Sequence, residues 1–235
     1  MKYDYSNSVA YITKGNKFVK TIKVGEEYTC KEDETLHPAA FIPKNQRYSN
    51  YISGPSGSGK STIASKIIEE LAKTRKFKYI VLITSSQTQD PSYERINYIN
   101  LPDEHLLEPI ETFKDSIIIA DDYDMGAEPD IVAARRGLIK AALEQGRKLN
   151  IAVLTITHNS LQGHKTRDQI FESNFVTLFP SASRMPVRNF IKDKLGFTTK
   201  SDMETFTKLV KGKRWVLIHM NAPNFMMTDR QIILF

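Results

Sequence analysis

Between residues 48 and 180, short runs of apolar and largely β-branched residues alternate with longer segments whose apolar residues recur at helical spacing. Short apolar runs bounded by turn signals are typical of strands buried on both faces of a sheet. Strands separated by helices pair in parallel, with helices covering both faces. The pattern therefore predicts an α/β fold with a mostly parallel central sheet. The predicted strands are 48–52, 79–84, 116–120, 151–156 and 175–179, and the predicted helices lie near 61–75, 103–114, 129–147 and 165–173.

The two ends of the chain follow other patterns. Residues 8–24 alternate apolar and polar around Lys14-Gly15-Asn16, which predicts a β-hairpin with a glycine-containing turn. Residues 25–47 are polar, contain two prolines and are interpreted as a connector. After Pro180 we expect two short helices near 186–195 and 201–210, then closing strands over 215–220 and 231–235. We therefore divide the chain into a hairpin and connector (1–47) and a main domain (48–235).

Composition narrows the class of protein only coarsely. A chain of 235 residues with 40% hydrophobic content can bury a sizeable core. No apolar run is long enough for a membrane span and the N-terminus lacks a signal peptide pattern, so we expect no membrane partner. The single cysteine, Cys30, cannot form an internal disulfide, which favours a reducing compartment. The net charge of +6 fits a polyanionic partner without requiring one.

The most specific motif is Gly-Pro-Ser-Gly-Ser-Gly-Lys-Ser at residues 54–61, which fits the Walker A pattern G-x-x-x-x-G-K-[ST]. It lies between a predicted strand and a predicted helix, the context that this phosphate-binding loop, the P-loop, requires. Lys60 is expected to reach the β- and γ-phosphates, and the Ser61 hydroxyl to bind Mg²⁺. The sequence thus predicts a protein that binds ATP or a related nucleotide. The predicted nucleotide-binding residues are Gly54, Pro55, Ser56, Gly57, Ser58, Gly59, Lys60, Ser61 and Thr62.

A second motif has the form of Walker B. The apolar run Ile117-Ile118-Ile119-Ala120 ends in Asp121 and Asp122. Ligands of open α/β sheets bind at the carboxyl ends of the strands, so this strand directs Asp121 toward Mg²⁺, opposite Ser61. Asp122 is then the candidate to orient or deprotonate the attacking water.

The next strand also ends in polar residues, Thr157-His158-Asn159. If it neighbours the strand before the P-loop, its tip faces the γ-phosphate. His158, Asn159 or Thr157 then hydrogen-bonds phosphate or water and reports whether the γ-phosphate is present. The sequence leaves open which of the three acts.

An arginine supplied by a neighbouring subunit completes the site of many ring-forming ATPases. Arg147, at the end of the helix before the polar strand, is the first candidate for this role. Arg135 and Arg136 on the same helix are the alternatives. A solvated helix end, where cations are favoured by the helix dipole, explains these residues equally well.

The C-terminal third is basic. Residues 181–214 contain nine Lys or Arg against three acidic residues. This density could neutralise phosphates along a DNA duplex, or form the solvated surface of two short helices. No base-reading signature accompanies it, so contact with double-stranded DNA would be to the backbone.

Missing motifs exclude several P-loop classes. The sequence has no Asn-Lys-x-Asp element after a strand, as a GTPase would, and no Leu-Ser-Gly-Gly-Gln segment of an ABC transporter. Small-molecule kinases usually have an arginine-rich lid and no apolar run ending in Asp-Asp. An ATPase with a water-activating acid, of the class that moves polymers or remodels partners, fits the motifs best.

The P-loop motif, the Walker B strand and the polar strand tip together resemble the FtsK–HerA superfamily. The resemblance extends over residues 48–235 and includes Phe179-Pro180, Lys213-Arg214-Trp215-Val216 and Ala222-Pro223. Within it they look most like the genome-packaging ATPases of large double-stranded DNA viruses, the poxvirus-type group, and of virophages. The resemblance implies a homo-oligomeric ring of five or six subunits that hydrolyses ATP with Mg²⁺ and pumps DNA into a preformed capsid. It implies Lys60 and Ser61 on the nucleotide and Mg²⁺, Asp121 on Mg²⁺, and Asp122 as the catalytic acid.

The same resemblance implies capsid proteins as further partners and the host cytoplasm, at the viral assembly site, or the virion as the location. Two departures from the family weaken the transfer of roles: many members have Glu where this chain has Asp122, and often Gln at the strand tip. The alternatives are a DNA helicase or conjugation-type DNA pump, and a non-translocating ATP-dependent switch acting on a protein partner.

Overall fold

The structure is a computed structural model that describes residues 7–42, 46–74, 77–86, 90–158, 169–180, 199–222 and 224–235, together with residues 190, 192, 195 and 197. In chain order its strands are β1 (Ser8–Lys14), β2 (Lys17–Lys23), β3 (Tyr28–Thr29), β4 (Glu34–Pro38), β5 (Ser49–Ser53), β6 (Tyr79–Thr84), β7 (Ile99–Asn100), β8 (Ser116–Asp121), β9 (Ala152–Thr157), β10 (Phe175–Leu178), β11 (Val216–His219), β12 (Phe225–Met227) and β13 (Gln231–Leu234). The described α-helices are α1 (Lys60–Thr74), α2 (Pro129–Leu149) and α3 (Lys200–Val210).

Ten of these strands form one sheet, in the order β3-β13-β12-β11-β10-β5-β9-β8-β6-β7. The six strands from β10 to β7 pair in parallel, and the remaining four add antiparallel pairs beyond β10. The predicted α/β class with a mostly parallel sheet and closing C-terminal strands is therefore confirmed. The strand before the P-loop, β5, lies between β9 and β10, so the tip of β9 lies beside the loop.

Helices cover both faces of the sheet. Ile117 and Ile119 of β8 pack in the same core as Ile63 and Ile67 of α1, whereas Ile118 between them packs with residues of α2. Alternate residues of a strand point to opposite faces, so a run of three isoleucines is buried only when both faces are covered. All three are fully buried. The strand register shows that the face of the sheet covered by α2 continues through β9 and β5 to β10. On this face, Phe206 and Leu209 of α3 pack against β10.

The N-terminal region forms a second, three-stranded sheet. β1 pairs with β2 through the predicted turn at Gly15 and Asn16, and on its other edge with β4. The segment predicted as a connector therefore contains two strands, β4 and β3, of which β3 joins the large sheet. β4 was missed because its sequence, ETLHP, has Leu36 as its single strongly apolar residue. Residues of β1 and β4 share one core with α1, and the domain boundary after residue 47 stays a prediction.

One further expectation needs correction. The helix predicted near 103–114 is instead a pair of 3-10 turns, Asp103–His105 and Ile110–Phe113. Pro109 lies between them, and proline has no N–H to continue a helix. β12 was not predicted, and most of the helix expected near 186–195 lies outside the described residues. In the described part of the chain, no helix is both long enough and apolar enough to cross a membrane.

Candidate functional site

The loop between β5 and α1 is held against the tip of β9. The Gly54 N–H donates to the carbonyl of Thr157 at 3.2 Å, and the Ser58 N–H donates to the carbonyl of Pro55 at 3.3 Å. Gly57 and Gly59 have φ angles of 71° and 100°, a region that residues with a side chain rarely adopt. The glycines at these two positions therefore let the loop turn back on itself before α1 begins at Lys60.

Lys60 is at the centre of the site. Its side chain is almost completely buried, and its Nζ donates to the carbonyl of Pro55 at 3.0 Å and lies 3.0 Å from Nδ1 of His158. Burial lowers the pKa of Lys60, whereas the charges of Asp122, Asp121 and Asp90 act to raise it. The charges of three carboxylates thus act on one ammonium group and favour its protonated form.

His158 connects Lys60 to Asp122. Its Nε2 lies 2.6 Å from Oδ2 of Asp122, on the opposite side of the ring from Lys60. Because the lysine donates to Nδ1, the neutral ring carries its proton on Nε2 and donates it to the carboxylate. The strand tip predicted to face the γ-phosphate therefore contacts both the P-loop lysine and the candidate catalytic acid. Asn159, the other residue proposed there, lies outside the described residues.

Asp122 has a backbone conformation that few residues with side chains adopt. Its φ is 44°, and its N–H donates to the carbonyl of Ile156 in the neighbouring β9 at 3.2 Å. A left-handed residue directly after a strand turns the chain sharply, and aspartate tolerates this conformation better than most residues. Backbone strain of this kind is found where a side chain is held for a function.

Asp121 is the last residue of β8 and is largely buried. The Tyr93 hydroxyl donates to its Oδ2 at 2.9 Å. The pKa of Asp121 is raised to about 6, chiefly by burial. The Tyr93 hydrogen bond and Lys60 act to lower this pKa, whereas the charges of Asp122 and Asp90 act to raise it. A cation beside this carboxylate would remove the cost of keeping it ionised.

The site fits Mg²⁺ by the chemistry of its donors. The Ser61 hydroxyl and the Asp121 carboxylate line the same cleft, and both are hard oxygen ligands. No three His, Cys, Asp or Glu side chains in the described ranges are grouped closely enough to hold a metal ion by themselves. Mg²⁺ in phosphate-transfer sites usually takes one or two protein ligands and completes its coordination shell with phosphate and water. Ser61 and Asp121 provide the two protein ligands that such a site needs.

Asp90 is a site residue that the sequence did not reveal. It caps the 3-10 turn Pro91–Tyr93, where it accepts a hydrogen bond from the Ser92 N–H at 2.8 Å. Burial acts to raise the pKa of Asp90, but hydrogen bonds from Ser61 and Ser92 outweigh it, and the pKa is lowered. Asp90 therefore contacts the expected Mg²⁺ ligand Ser61 as a carboxylate. The available signal was an Asp-Pro pair shortly after the carboxyl end of β6.

These residues line one cleft of about 620 Å³ at the carboxyl ends of the parallel strands. P-loop residues form one wall, and Tyr93, Tyr98 and Leu101 lie on the side of β6 and β7. Arg214, which precedes β11, also lines the cleft, and its Nε donates to the carbonyl of Ser58 at 2.8 Å. In the sequence analysis it was one of nine basic residues and part of the segment Lys213-Arg214-Trp215-Val216, and it was given no role at the nucleotide.

The three arginines on α2 do not join this cleft. Arg135 is buried and bonds within its own chain to Ser85, Asp103 and the carbonyl of Tyr123. Arg136 pairs with Asp124, and Arg147 lies exposed in the last turn of α2. That turn precedes the amino end of β9, the edge of the sheet opposite the cleft. The contacts of Arg135 make it the weakest candidate to reach a neighbouring subunit, and the role of Arg147 there stays a prediction.

The sequence is similar to that of a virophage protein. No protein-family model matches the sequence. Uncharacterized protein V3 of the Sputnik virophage is 29% identical over 221 residues, which cover 90% of this chain and 89% of that protein.

Two solved structures have similar folds at low identity. The genome packaging NTPase B204 from Sulfolobus turreted icosahedral virus 2, in complex with ATP-gammaS, has a TM-score of 0.51 and 14% identity over 78% of this chain and 97% of its own. The pCW3 conjugation coupling protein TcpA, also with ATPgS, has a TM-score of 0.51 and 14% identity over 100% of this chain and 70% of its own. The predicted P-loop NTPase fold is therefore confirmed.

Proposed function

We propose that this protein is an Mg²⁺-dependent ATPase that uses hydrolysis to move double-stranded DNA, and that its task is to package a viral genome into a preformed capsid. The observation that carries the ATPase part is the convergence of Lys60, Asp121 and the Asp122–His158 pair in one cleft beside the P-loop. A phosphate-binding loop alone would serve a binding protein. A carboxylate held by a histidine next to the loop lysine serves hydrolysis.

In the proposed mechanism, the N–H groups of residues 57–61 surround the α- and β-phosphates, and Lys60 donates to the β- and γ-phosphates. Bound Mg²⁺, held by Ser61 and Asp121, would neutralise the charge that develops on the phosphates. Asp122 accepts a proton from the attacking water, and the Nε2–H of His158 holds the carboxylate in the orientation this requires.

His158 also gives the site a means to respond to the γ-phosphate. Lys60 donates to Nδ1 of His158 in this structure. When Lys60 turns to the phosphates, His158 loses that donor and its ring is free to reorient with Asp122. Hydrolysis and phosphate release reverse the exchange. The strand tip would then move with each turnover, and the basic segments and a neighbour's Arg147 would transmit this to the DNA.

DNA as the partner rests on charge and on similarity. Lys200, Lys208 and Lys211, in and just after α3, are exposed, and backbone contacts through such residues are independent of sequence. The names of the two similar structures refer to genome packaging and to conjugation, both of which move DNA. The relative encoded by a virophage supports a viral setting for this activity. A ring of five or six subunits and capsid proteins as docking partners complete the proposal.

The test is steady-state ATP hydrolysis with and without duplex DNA, with Lys60→Ala as the blank. We expect Mg²⁺-dependent hydrolysis that duplex DNA stimulates and that falls steeply between 50 and 200 mM salt, the range over which phosphate contacts are screened. Hydrolysis indifferent to DNA would favour the ATP-dependent switch. Stimulation by DNA without association with capsid shells would favour a conjugation-type pump.

A further inference from the structure

Arg214 is placed over the P-loop by the turn between α3 and β11. The Lys213 N–H donates to the carbonyl of Val210 at 3.0 Å, and Gly212 within this turn has a φ of 72°. The Nε of Arg214 then donates to the carbonyl of Ser58 at 2.8 Å, a contact between residues 156 positions apart in the chain. The exposed guanidinium is thereby anchored to the loop by this hydrogen bond.

The group lies directly against Gly59. A Cβ atom at Gly59 would be 2.9 Å from Nη2 and 3.2 Å from Cζ of Arg214. Gly59 therefore provides the space that the guanidinium occupies, in addition to the left-handed turn of the loop. Arg214 also lines the cleft, together with the residues of the P-loop. Its guanidinium is therefore near the part of the cleft that the backbone N–H groups of the loop border.

The charge of Arg214 has no acidic partner among the described residues, where none of the ion pairs includes it. Lys60 differs, because three carboxylates act on it. Lys213, the residue before Arg214, lies 3.9 Å from Asp229. A cation hydrogen-bonded to a phosphate-binding loop, without an ion-pair partner among the described residues, is suited to neutralise an anion.

We propose that Arg214 binds the α- and β-phosphates of the nucleotide held by its own chain. The position follows from its partners, since the loop N–H groups around Gly59 cradle the α- and β-phosphates, whereas Lys60 reaches toward the γ-phosphate. The planar guanidinium can donate two parallel hydrogen bonds to phosphate oxygens. Arg214 is thus a nucleotide-binding residue acting in cis, distinct from an arginine that a neighbour would contribute. This inference rests on the proposed nucleotide binding.

The position predicts a specific pattern of binding constants. A contact to the α- and β-phosphates is made equally to ADP and to ATP, so its loss weakens both by the same factor. In kinetics it raises KM and leaves kcat nearly unchanged, because ground state and transition state lose the same interaction. A contact to the γ-phosphate would instead weaken ATPγS more than ADP and lower kcat.

The experiment measures Kd for ADP and for ATPγS with Mg²⁺ by calorimetry on the full chain. Arg214→Gln retains a donor for the Ser58 carbonyl and removes the charge, and Arg214→Lys retains the charge. Lys66→Ala removes an exposed charge on α1 as the control. We expect Arg214→Gln to raise both Kd values about tenfold, a loss typical of one charge-assisted hydrogen bond. Arg214→Lys should recover part of the loss, and Lys66→Ala should stay within about twofold of wild type.

Thermal unfolding without nucleotide separates binding from a structural role. We expect the melting temperature of Arg214→Gln to match wild type, and a variant that melts early with unchanged Kd values would overturn the proposal. Equal ADP affinity of wild type and Arg214→Gln, or a loss confined to ATPγS, would also overturn it. If the wild type itself fails to bind ADP and ATPγS, the proposed function falls as well, which distinguishes the two failures.

Mixed subunits test whether Arg214 acts in cis. When Arg214→Gln is mixed with Lys60→Ala, each subunit lacks a different part of the site. For a residue acting in cis, KM for ATP of the mixture stays at the raised value of Arg214→Gln. A return of KM to the wild-type value would show that Arg214 of one subunit serves the Lys60 of another, and would contradict the proposal.

Discussion

His158 and Asp122 are joined by a contact of 2.6 Å between Nε2 and Oδ2, although they follow different strands of the sheet. β8 and β9 are parallel neighbours, so the residues just beyond their carboxyl ends meet. In the proposed mechanism, this pair places an acid where water attacks and fixes the orientation of that acid from the adjacent strand.

Replacing Asp122 by Asn should abolish most hydrolysis while leaving nucleotide binding intact. The amide cannot accept a proton from water, so we expect kcat to fall by about 100-fold or more. Kd for ATPγS should change by less than about threefold, because the P-loop N–H groups and the Lys60 side chain that bind the phosphates are all retained. Single-turnover hydrolysis and calorimetry measure the two effects. Wild-type kcat in Asp122→Asn would exclude this residue as the base.

Replacing His158 by Ala should lower kcat by about tenfold, since it removes the group that orients Asp122 rather than the base itself. The decisive measurement is the double variant with Asp122→Asn. If His158 acts through Asp122, the double variant is no slower than Asp122→Asn alone. Multiplicative losses would assign His158 a separate role, such as a direct contact to phosphate.

Replacing Asp121 by Asn should stabilise the nucleotide-free protein in a pH-dependent way. The pKa of Asp121 is raised to about 6, chiefly by burial. In the unfolded chain the group titrates near 4, so between these values the native state holds more protons and the free energy of unfolding falls as pH rises. Asparagine removes this cost, which is largest above pH 6 and absent below pH 4.

In EDTA at pH 8 we therefore expect Asp121→Asn to melt about 5 °C above wild type, with the difference shrinking toward pH 5. Thermal unfolding followed by circular dichroism across this pH range measures the effect. Mg²⁺-dependent hydrolysis should be lost in the same variant. An equal gain in melting temperature at pH 5 and pH 8 would contradict the assignment of the cost to ionised Asp121.

Gly54→Ala tests the packing of the P-loop against β10. A Cβ at Gly54 would lie 2.8 Å from a ring carbon of Phe179, which is fully buried. We expect a loss of about 1–3 kcal/mol in the free energy of unfolding. In Gly54→Ala/Phe179→Leu the smaller side chain should recover part of that loss. Urea denaturation measures both variants, and additive losses would show that the two residues do not compete for space.

A matched control for this packing effect is Gly57→Ala. No atom lies within 4 Å of a Cβ at Gly57, but its φ of 71° disfavours alanine. We expect a loss of about 1 kcal/mol from backbone strain alone, and Phe179→Leu should not relieve it. The comparison separates steric exclusion from conformational preference within one loop.

The parts of the fold with local signatures could be predicted from sequence. The run 79–84 coincides with β6, and the motif at 54–61 lies between β5 and α1 as predicted. Periodicity and motif spacing depend on residues that are close in the chain. They were sufficient to predict these elements, whose structure is determined locally. The Walker B pattern placed Asp121 and Asp122 at the end of their strand, and both residues line the cleft.

Contacts between distant segments could not be predicted in this way. Asp90 follows β6 outside any motif, and its place beside Ser61 depends on how the chain returns after the strand. Arg214 reaches Ser58 across 156 positions, so it resembled the other basic residues around it. β4 was missed because its pairing with β1 depends on backbone hydrogen bonds that a polar sequence makes equally well.

The central claim is that ATP hydrolysis moves the protein along duplex DNA, and displacement of a triplex-forming strand tests it most directly. Wild type, Lys60→Ala and Asp122→Asn are incubated with duplexes of varied sequence that carry a labelled third strand downstream. The account predicts that wild type releases the third strand only with ATP and Mg²⁺, at similar rates on all sequences, and that both variants release none. DNA-stimulated hydrolysis by wild type without release of the third strand would contradict it.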